Sequence, residues 1–484
     1  MSGEETSAAL SAASPAPSSS TEPGDPSLGS KATVLLAAGA VAAFHLAYAF
    51  TALDSLTLVY LFCLFHLTRV ETTRQAFYLG LAIGFLCCAP QLTCFWKIFG
   101  PGAIALWLVL AFWIALFLAL GRSCRAHFGP VRAALLIPFI WTGLEYFRSE
   151  LYYLRFSWLN VGYAFAGNLQ WLPLRHVGVY GLGFLLMAVV ALASLARPKW
   201  RVMALVMTFA VLAFITNSPR AGNPIERDQK SGLAMAGVQL EFPSEPEVIL
   251  SLNKLVKAHP EAQLLILSEY TFDGPVPEKI KAWCREHQRY LIVGGKNLAS
   301  GRQFFDTAFV VGPGGDIVFH QGKSVPIQFF KDGLPAGEQR LWESPWGKIG
   351  LCVCYDLSYS RVTDQLIRLG AHAIIVPTMD VADWGGHQHE LHARVAPIRA
   401  AEYGIPVFRL ASSGISQCVD WRGKVLATAP FPGEGAMISE TLDLNKPGSL
   451  PLDRVITPLS VGVTGLIMIL LTFQSFRRKQ SITN

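Results

Sequence analysis

Three residues in the second half of the chain have the types and settings for covalent acyl chemistry. Cys354 closes Gly350-Leu351-Cys352-Val353-Cys354, a short apolar run after the turn-forming Trp346-Gly347, which reads as a buried strand, Ile349–Cys354, ending on a thiol. Side chains alternate along a strand, so Cys352 and Cys354 share one face and only the later one reaches the carboxyl end. Chemistry gathers at those ends in open α/β sheets. Cys354 is therefore the candidate nucleophile and Cys352 a packing residue. Glu269 directly follows the apolar run Leu264–Leu267, and Lys323 follows the hairpin-like segment Asp316–Gln321. A carboxylate, an amine and a thiol at neighbouring strand ends make a covalent catalyst, with Glu269 as general base, Lys323 as oxyanion stabiliser and Cys354 as nucleophile.

The elements that must position these residues lie in residues 232–445, whose composition is that of an α/β domain. Strands are expected at Leu233–Gln239, Leu264–Ser268, Tyr290–Gly294, Thr307–Gly312, Ile317–His320, Ile349–Cys354, Ala373–Pro377 and Val407–Ala411, with Ser416–Asp420 paired to Lys424–Thr428. Helical patterns fall between them at Glu247–Ala258, Pro277–Glu286, Ser360–Leu369 and Gln388–Tyr403.

The rest of the chain is of another kind. Over 484 residues, 52% are apolar and only 15% charged, which points to a membrane protein. Residues 1–30, rich in Ser, Ala and Pro, read as a disordered tail. Residues 31–217 hold seven apolar segments near the ~20 residues a helix needs to cross a bilayer: Ala32–Thr51, Leu56–Leu67, Ala76–Phe95, Gly102–Leu120, Val131–Phe147, Val177–Ala196 and Val202–Thr216. An eighth spans residues 455–473 and is followed by Arg477, Arg478 and Lys479. With the amino terminus inside, the inner loops collect Arg69, Arg74, Arg122, Arg125, Arg132, Arg197, Lys199 and Arg201, an asymmetry that fits the positive-inside rule and sends the α/β domain to the outer face. Phe156–Tyr163, continuing to Pro173, is aromatic but broken by Gly and Pro, and reads as an interfacial or re-entrant loop.

Several function classes fall away. The net charge of +6 is spread between apolar runs instead of forming a patch, which argues against nucleic acid. Glu145 apart, the spans carry no deep charge, which argues against a transporter. The nine cysteines show no paired spacing for zinc or a disulfide framework and are expected as free thiols. His387, His389 and His392 are close in sequence, but without a matched carboxylate or thiol motif they read as residues lining or capping a helix, and no metal is expected. No phosphate loop or dinucleotide fingerprint is visible, so no cofactor is expected.

On Ser268-Glu269, Gly322-Lys323 and Gly350–Asp356 the sequence resembles the nitrilase superfamily of carbon–nitrogen hydrolases, whose members carry a Glu-Lys-Cys triad on an αββα sandwich. Together with the eight spans, Phe156–Tyr163, Gly178–Leu182, Gln388-His389 and Ile398–Pro406, it resembles the membrane-embedded apolipoprotein N-acyltransferase family of the bacterial inner membrane. The resemblance implies a ping-pong transfer. Cys354 would take an acyl chain from a phospholipid donor as a thioester, and the α-amine of a diacylglyceryl apolipoprotein would accept it. Lys323 and the backbone N–H of Tyr355 would hold the oxyanion, with Asp356 and Gln328 beside them, in a monomeric enzyme. The alternative is a membrane-tethered amidase or acyltransferase of the same superfamily with a different amine acceptor. It is motivated by one departure: the family's Val-Pro-Phe-Gly-Glu is here Val325-Pro326-Ile327-Gln328-Phe329. The second carboxylate is missing from this stretch: Gln328 could only hydrogen-bond, and Asp332 and Glu338 are displaced candidates. Family members also carry Glu where this chain has Asp356, and Asn-Asp-Ala-Trp where it has Met379–Trp384.

Overall fold

The computed structural model describes residues 27–195, 232–444 and 446–483. The expected span Val202–Thr216 and most of the expected tail lie outside them.

The first part is helical: α1 Ser30–Ala49, α2 Leu56–Leu67, α3 Thr73–Gln91, α4 Cys94–Phe99, α5 Gly102–Tyr146 and α6 Leu174–Leu195. The expected pair Gly102–Leu120 and Val131–Phe147 is joined within α5, but Gly129 (φ 79°) is not helical, and Pro130 follows it. Glycine supplies that positive φ without strain, and the proline cannot return a hydrogen bond. Four stretches among the described residues are long and apolar enough to cross a membrane: Ser30–Ala49, Gly102–Leu151, Leu174–Leu195 and Asp453–Gln474. The apolar helix α2 is shorter, and α3 has polar ends in Thr73-Arg74-Gln75 and Gln91. Gly80 and Gly84, one turn apart on α3, let its backbone press onto α5; a Cβ at either would stand 2.6 Å from the Cα of Ala115 or Ala111. Such small-residue seams are how apolar helices approach closely.

The second part is a sandwich of two six-stranded sheets. The first holds β1 Leu233–Val238, β2 Leu264–Ile266, β3 Tyr290–Leu298, β4 Phe304–Val311, β5 Ile317–Gly322 and β12 Met437–Leu442, in the order β12-β1-β2-β3-β4-β5. The second holds β6 Leu341–Ser344, β7 Gly347–Leu351, β8 Ala373–Thr378, β9 Val407–Ala411, β10 Ser416–Val419 and β11 Val425–Ala429, in the order β11-β10-β9-β8-β7-β6. Helices α7 Glu245–Ala258 and α8 Glu278–His287 cover the first sheet, and α9 Ser360–Arg368, α10 Gly386–Ala393 and α11 Val395–Tyr403 accompany the second. The split of the core follows strand alternation. Leu265 and Leu267 pack with α7 and α8, through Leu252, Leu255 and Ile280. Leu264 and Ile266 fall in the other cluster, which runs through the sandwich and into the helical part. The last helix, α12 Asp453–Thr483, returns to the helical part and packs against α5 and α6.

Several expectations need correcting. The strand before Cys354 ends at Leu351, three residues early, so Cys354 does not sit at an alternating strand position beside Cys352. Strands β6 and β12 escaped notice, and Gln388–Tyr403 is two helices parted at Arg394. The Phe156–Pro173 loop is not exposed at its centre. Phe156, Ser157, Trp158, Leu159 and Asn160 are buried, and the Trp158 indole N–H donates to Ser358 Oγ at 3.0 Å in the sandwich domain.

Candidate active site

Glu269 stands three residues beyond β2, Lys323 one residue beyond β5 and Cys354 three beyond β7. All three side chains are buried, and they converge. Lys323 Nζ donates to Glu269 Oε1 at 2.7 Å, and the Cys354 thiol, close enough to feel the charge of the same carboxylate, donates to the Met379 carbonyl at 3.7 Å. The other oxygen of Glu269 accepts the Met379 N–H at 2.6 Å, so the carboxylate is fixed from two sides. Gly294 on β3 permits this: a Cβ there would lie 2.5 Å from the Glu269 Cα. Cys354 has φ +50°, a left-handed conformation costly for a side-chain-bearing residue. It opens a 3-10 turn, Cys354–Ser358, that turns the chain out of the sheet. The turn aims the sulfur at Glu269, a task that strand alternation alone does not perform.

Lys323 is also surrounded more fully than the sequence suggested. Asp332 Oδ2 lies 2.7 Å and Asp306 Oδ2 3.4 Å from Nζ. The carboxylates of Glu269, Asp306 and Asp332 have oxygens within 4.8 Å of one another, a spacing able to hold a metal ion. Here the ammonium of Lys323 fills the position between them that a cation would take. Asp332 is oriented by the Tyr270 hydroxyl at 2.9 Å and the Ile327 N–H at 2.7 Å.

Gln328 does not fill the place expected of it. Its amide donates to the Tyr153 carbonyl at 3.2 Å, and Asp332, four residues on, supplies the carboxylate to Lys323 instead. The loop between them, with Phe329 at φ +70°, takes the extra length. Glu338 is exposed. Asp356 accepts the backbone N–H groups of Ser324 at 3.0 Å and Val325 at 2.8 Å, tying the Cys354 turn to the chain just past Lys323. Tyr355 is buried, with its hydroxyl on the Arg155 carbonyl at 3.3 Å. Of the three histidines, His387 meets Gln91 at 2.8 Å, His389 packs on Phe431 and His392 faces Asp380 at 2.8 Å.

Asp306 was missed, although its sequence signal exists. It is the one charged residue in Phe304–Val311, an apolar run where a charge must be paired to be buried.

The charges settle in a definite pattern. Burial pushes Glu269 upward, but Lys323 and its hydrogen bonds outweigh that and hold it below the usual carboxylate range. Burial and then the neighbouring Glu269 charge drive Asp306 well above its ordinary value. Asp306 is thus a neutral acid beside an ionised one. Burial pulls Lys323 down, but the carboxylates of Glu269 and Asp332 win and keep it an ammonium. Burial and the Glu269 charge hold the Cys354 thiol well up, so it rests as a protonated thiol against a carboxylate base. That resting state suits general-base activation of sulfur at the moment of attack.

Cys354 opens into a groove between the helical part and the sandwich. One wall comes from the helical part, with Phe95, Ile98, Phe99, Leu106 and Val109, and the other from the sandwich, with Ile327, Phe329, Phe330 and Trp384.

A two-sheet sandwich with Glu, Lys and Cys meeting between its layers is a carbon–nitrogen hydrolase, here an N-acyltransferase joined to an apolar helical part. Residues 232–451 match the family model described as carbon-nitrogen hydrolase, and residues 38–192 match the one described as apolipoprotein N-acyltransferase N-terminal domain. The chain belongs to the apolipoprotein N-acyltransferase family. Relatives of that name include one from Geobacter metallireducens, 23% identical across 76% of this chain and 81% of that protein. Another, from Shewanella oneidensis, is 23% identical across 77% of this chain and 82% of that one. Among solved structures, a branch 10 member of the nitrilase superfamily from Saccharomyces cerevisiae is 20% identical. It covers 44% of this chain and 90% of its own, with a TM-score of 0.38.

Proposed function

We propose that the chain moves a fatty acyl group from a membrane phospholipid onto Cys354 as a thioester, then to the α-amine of a diacylglyceryl-cysteine at a lipoprotein amino terminus. Glu269 takes the thiol proton as sulfur attacks the ester carbonyl. Lys323 and the Tyr355 N–H stabilise the oxyanion, and the proton passes to the departing lysophospholipid oxygen. In the second half the amine attacks the thioester, and Glu269 returns a proton to sulfur.

The observation that carries this reading is the position of the thiol, in an apolar groove built jointly by the membrane-type helices and the sandwich. Drawing an acyl chain into water costs about 0.8 kcal/mol per CH₂. A thiol that works on such chains must be met by a surface that replaces the lipid, and this groove provides one.

The topology we infer has eight spans in the bacterial cytoplasmic membrane, with the sandwich on the outer, periplasmic face and the helical region ending near residue 217. Run straight, Gly102–Leu151 would extend about 75 Å, more than twice the ~30 Å hydrocarbon core. The break at Gly129 makes two spans of it. With α1, α2, α3, α6, Val202–Thr216 and α12, that gives eight.

The test is mass spectrometry of lipoprotein amino termini in a strain depleted of its own N-acyltransferase and supplied with this chain. Restored triacylation supports the reading. Termini left diacylated by a stably inserted protein would instead point to a different amine acceptor.

A further inference from the structure

A second base lies in the groove, and the mechanism above leaves it idle. His392, on α10, is buried and lines the groove together with Cys354. Its Nδ1 stands 2.8 Å from Asp380 Oδ1, and its ring stacks on the Trp158 indole at 4.5 Å between centroids, with 19° between the planes. Asp380 is itself held in place. Arg409 donates to its Oδ2, and its backbone N–H donates to Ser412 Oγ at 3.0 Å. Nδ1 also lies 3.0 Å from Arg409 Nη2, but that guanidinium donates to Asp380 Oδ2, and an ionised carboxylate can only accept, so Nδ1 carries the hydrogen toward Asp380 and Nε2 keeps its lone pair. Among the described residues none donates to Nε2.

The acceptor amine poses a problem that this lone pair solves. A peptide α-amine has an ordinary pKa of about 7.7–8.0, so near neutral pH roughly nine in ten arrive as ammonium, which cannot attack a carbonyl. Glu269 and Cys354 together handle one proton per half-reaction, and the ammonium brings one more. The groups facing His392 are Asp380, Arg409 and Glu269, with His389 one helical turn away. Burial, more than any of these, draws His392 below its ordinary value and keeps the imidazole neutral and able to accept.

We propose that Nε2 of His392 is the base that takes the surplus proton from the acceptor's α-ammonium before the amine attacks the Cys354 thioester. An ammonium N–H bond breaks, its proton goes to Nε2 and its electron pair stays on nitrogen. The free amine then forms the C–N bond, and the C–S bond breaks. The remaining surplus amine proton travels through Glu269 to the leaving sulfur, and the imidazolium discharges its proton to water. The products are the amide and the resting thiol. This assignment rests on the acyl-transfer reading above.

The test separates the two half-reactions in the full-length enzyme. Cys354 is loaded with labelled phospholipid in a single turnover, and a synthetic S-diacylglyceryl-cysteinyl peptide with a free α-amine is then added. For His392→Gln, thioester should form at the wild-type rate within about twofold. Transfer should fall about tenfold near neutral pH, with the deficit closing by about pH 9 as the amine loses its proton unaided. A matching peptide whose amine is replaced by an O-alkyl hydroxylamine, unprotonated near neutrality, should be acylated at equal rates by both enzymes. An equal deficit at every pH and with both acceptors, or a deficit already in thioester formation, would make His392 structural and overturn the proposal. No thioester in the wild-type enzyme would instead overturn the acyl-transfer reading beneath it.

Discussion

Two buried clusters of charge sit in this molecule, and they are built on opposite terms. One surrounds Lys323 inside the sandwich. The other, at the seam between sandwich and helices, joins Arg399 and Glu402 of α11, Asp364 of α9, Asp453 and Arg454 of α12, and Glu150 just past α5. At the seam the partners are plentiful. Glu402 takes Arg399 at 2.5 Å, Arg454 at 3.0 Å and the Val179 N–H at 3.1 Å. Arg399 also donates to the carbonyls of Leu357 at 3.1 Å and Ser358 at 2.7 Å, inside the turn that begins at Cys354. Around Lys323, three carboxylates share one cation, and neither oxygen of Asp306 accepts a hydrogen bond. The seam network, whose two arginines tie α9, α11 and α12 to the turn at Cys354, serves as a lock. An under-neutralised one holds a mobile proton and a neutral thiol, which is what chemistry needs.

That contrast makes predictions, the largest at Lys323. Replacing it with Met removes the oxyanion cation and leaves buried carboxylates unpaired. Thioester formation should fall by about three orders of magnitude or more, and stability by about 3–5 kcal/mol, read by single-turnover labelling and denaturant unfolding. Retained activity in this variant would break the comparison. Arg399→Met should cost a similar 3–5 kcal/mol, but its activity loss should be smaller and scale with disorder of the Cys354 turn. Labelling of Cys354 by a small lipid-like electrophile separates the two, since loss of the lock slows it and loss of stability alone does not.

Asp306 sharpens the contrast further. Since it is neutral in the fold and ionises above about pH 3.9 when unfolded, the folded state binds the extra proton. Its contribution to stability therefore falls as pH rises from that point toward its folded value. Asp306→Asn keeps a neutral side chain of the same shape and removes that slope. The variant should stay within about tenfold of wild-type activity and gain stability near neutral pH relative to pH 4, by unfolding at several pH values. Glu269 behaves in the opposite sense. Its depressed value adds stability above about pH 4.3, lost as pH falls through the lower folded value. The acid limb of Cys354 acylation should accordingly lie below the ordinary glutamate range.

The smallest effects separate Gln328 from Asp332. Gln328→Ala should change activity less than about threefold, because its amide meets only the Tyr153 carbonyl. Asp332→Asn, which removes a charge 2.7 Å from Lys323, should cost about a hundredfold. Equal losses would put Gln328 back beside Lys323 in importance.

These pairs also mark how far the sequence could be read. The convergence of Glu269, Lys323 and Cys354 was legible because two follow apolar runs and the third a hairpin-like segment, each forming a strand that ends within three residues of the site. Local pattern could not supply the left-handed turn at Cys354, since a positive φ leaves no trace in hydrophobic alternation. Nor could it show that the Gln328 loop bends to bring Asp332 home. Asp306 hid at the start of a strand whose apolar run was read from Thr307. The seam was half visible: Arg399 and Glu402 stand one helical turn apart, but Arg454, the partner of Glu402, lies 52 residues onward, and Glu150, the partner of Arg399, lies 249 residues back. Trp158, expected at a membrane surface, is a buried wall of the groove because its partners Ser358 and His392 come from the other domain.

The most direct test is to incubate the full-length protein in lipid with phospholipid labelled in the sn-1 chain, quench in acid and map the label by mass spectrometry. The account predicts one labelled, hydroxylamine-labile thioester on Cys354, formed before any acceptor is added and absent in Glu269→Gln. Label reaching a lipoprotein amine from a Cys354→Ala protein, with no adduct on sulfur, would contradict it.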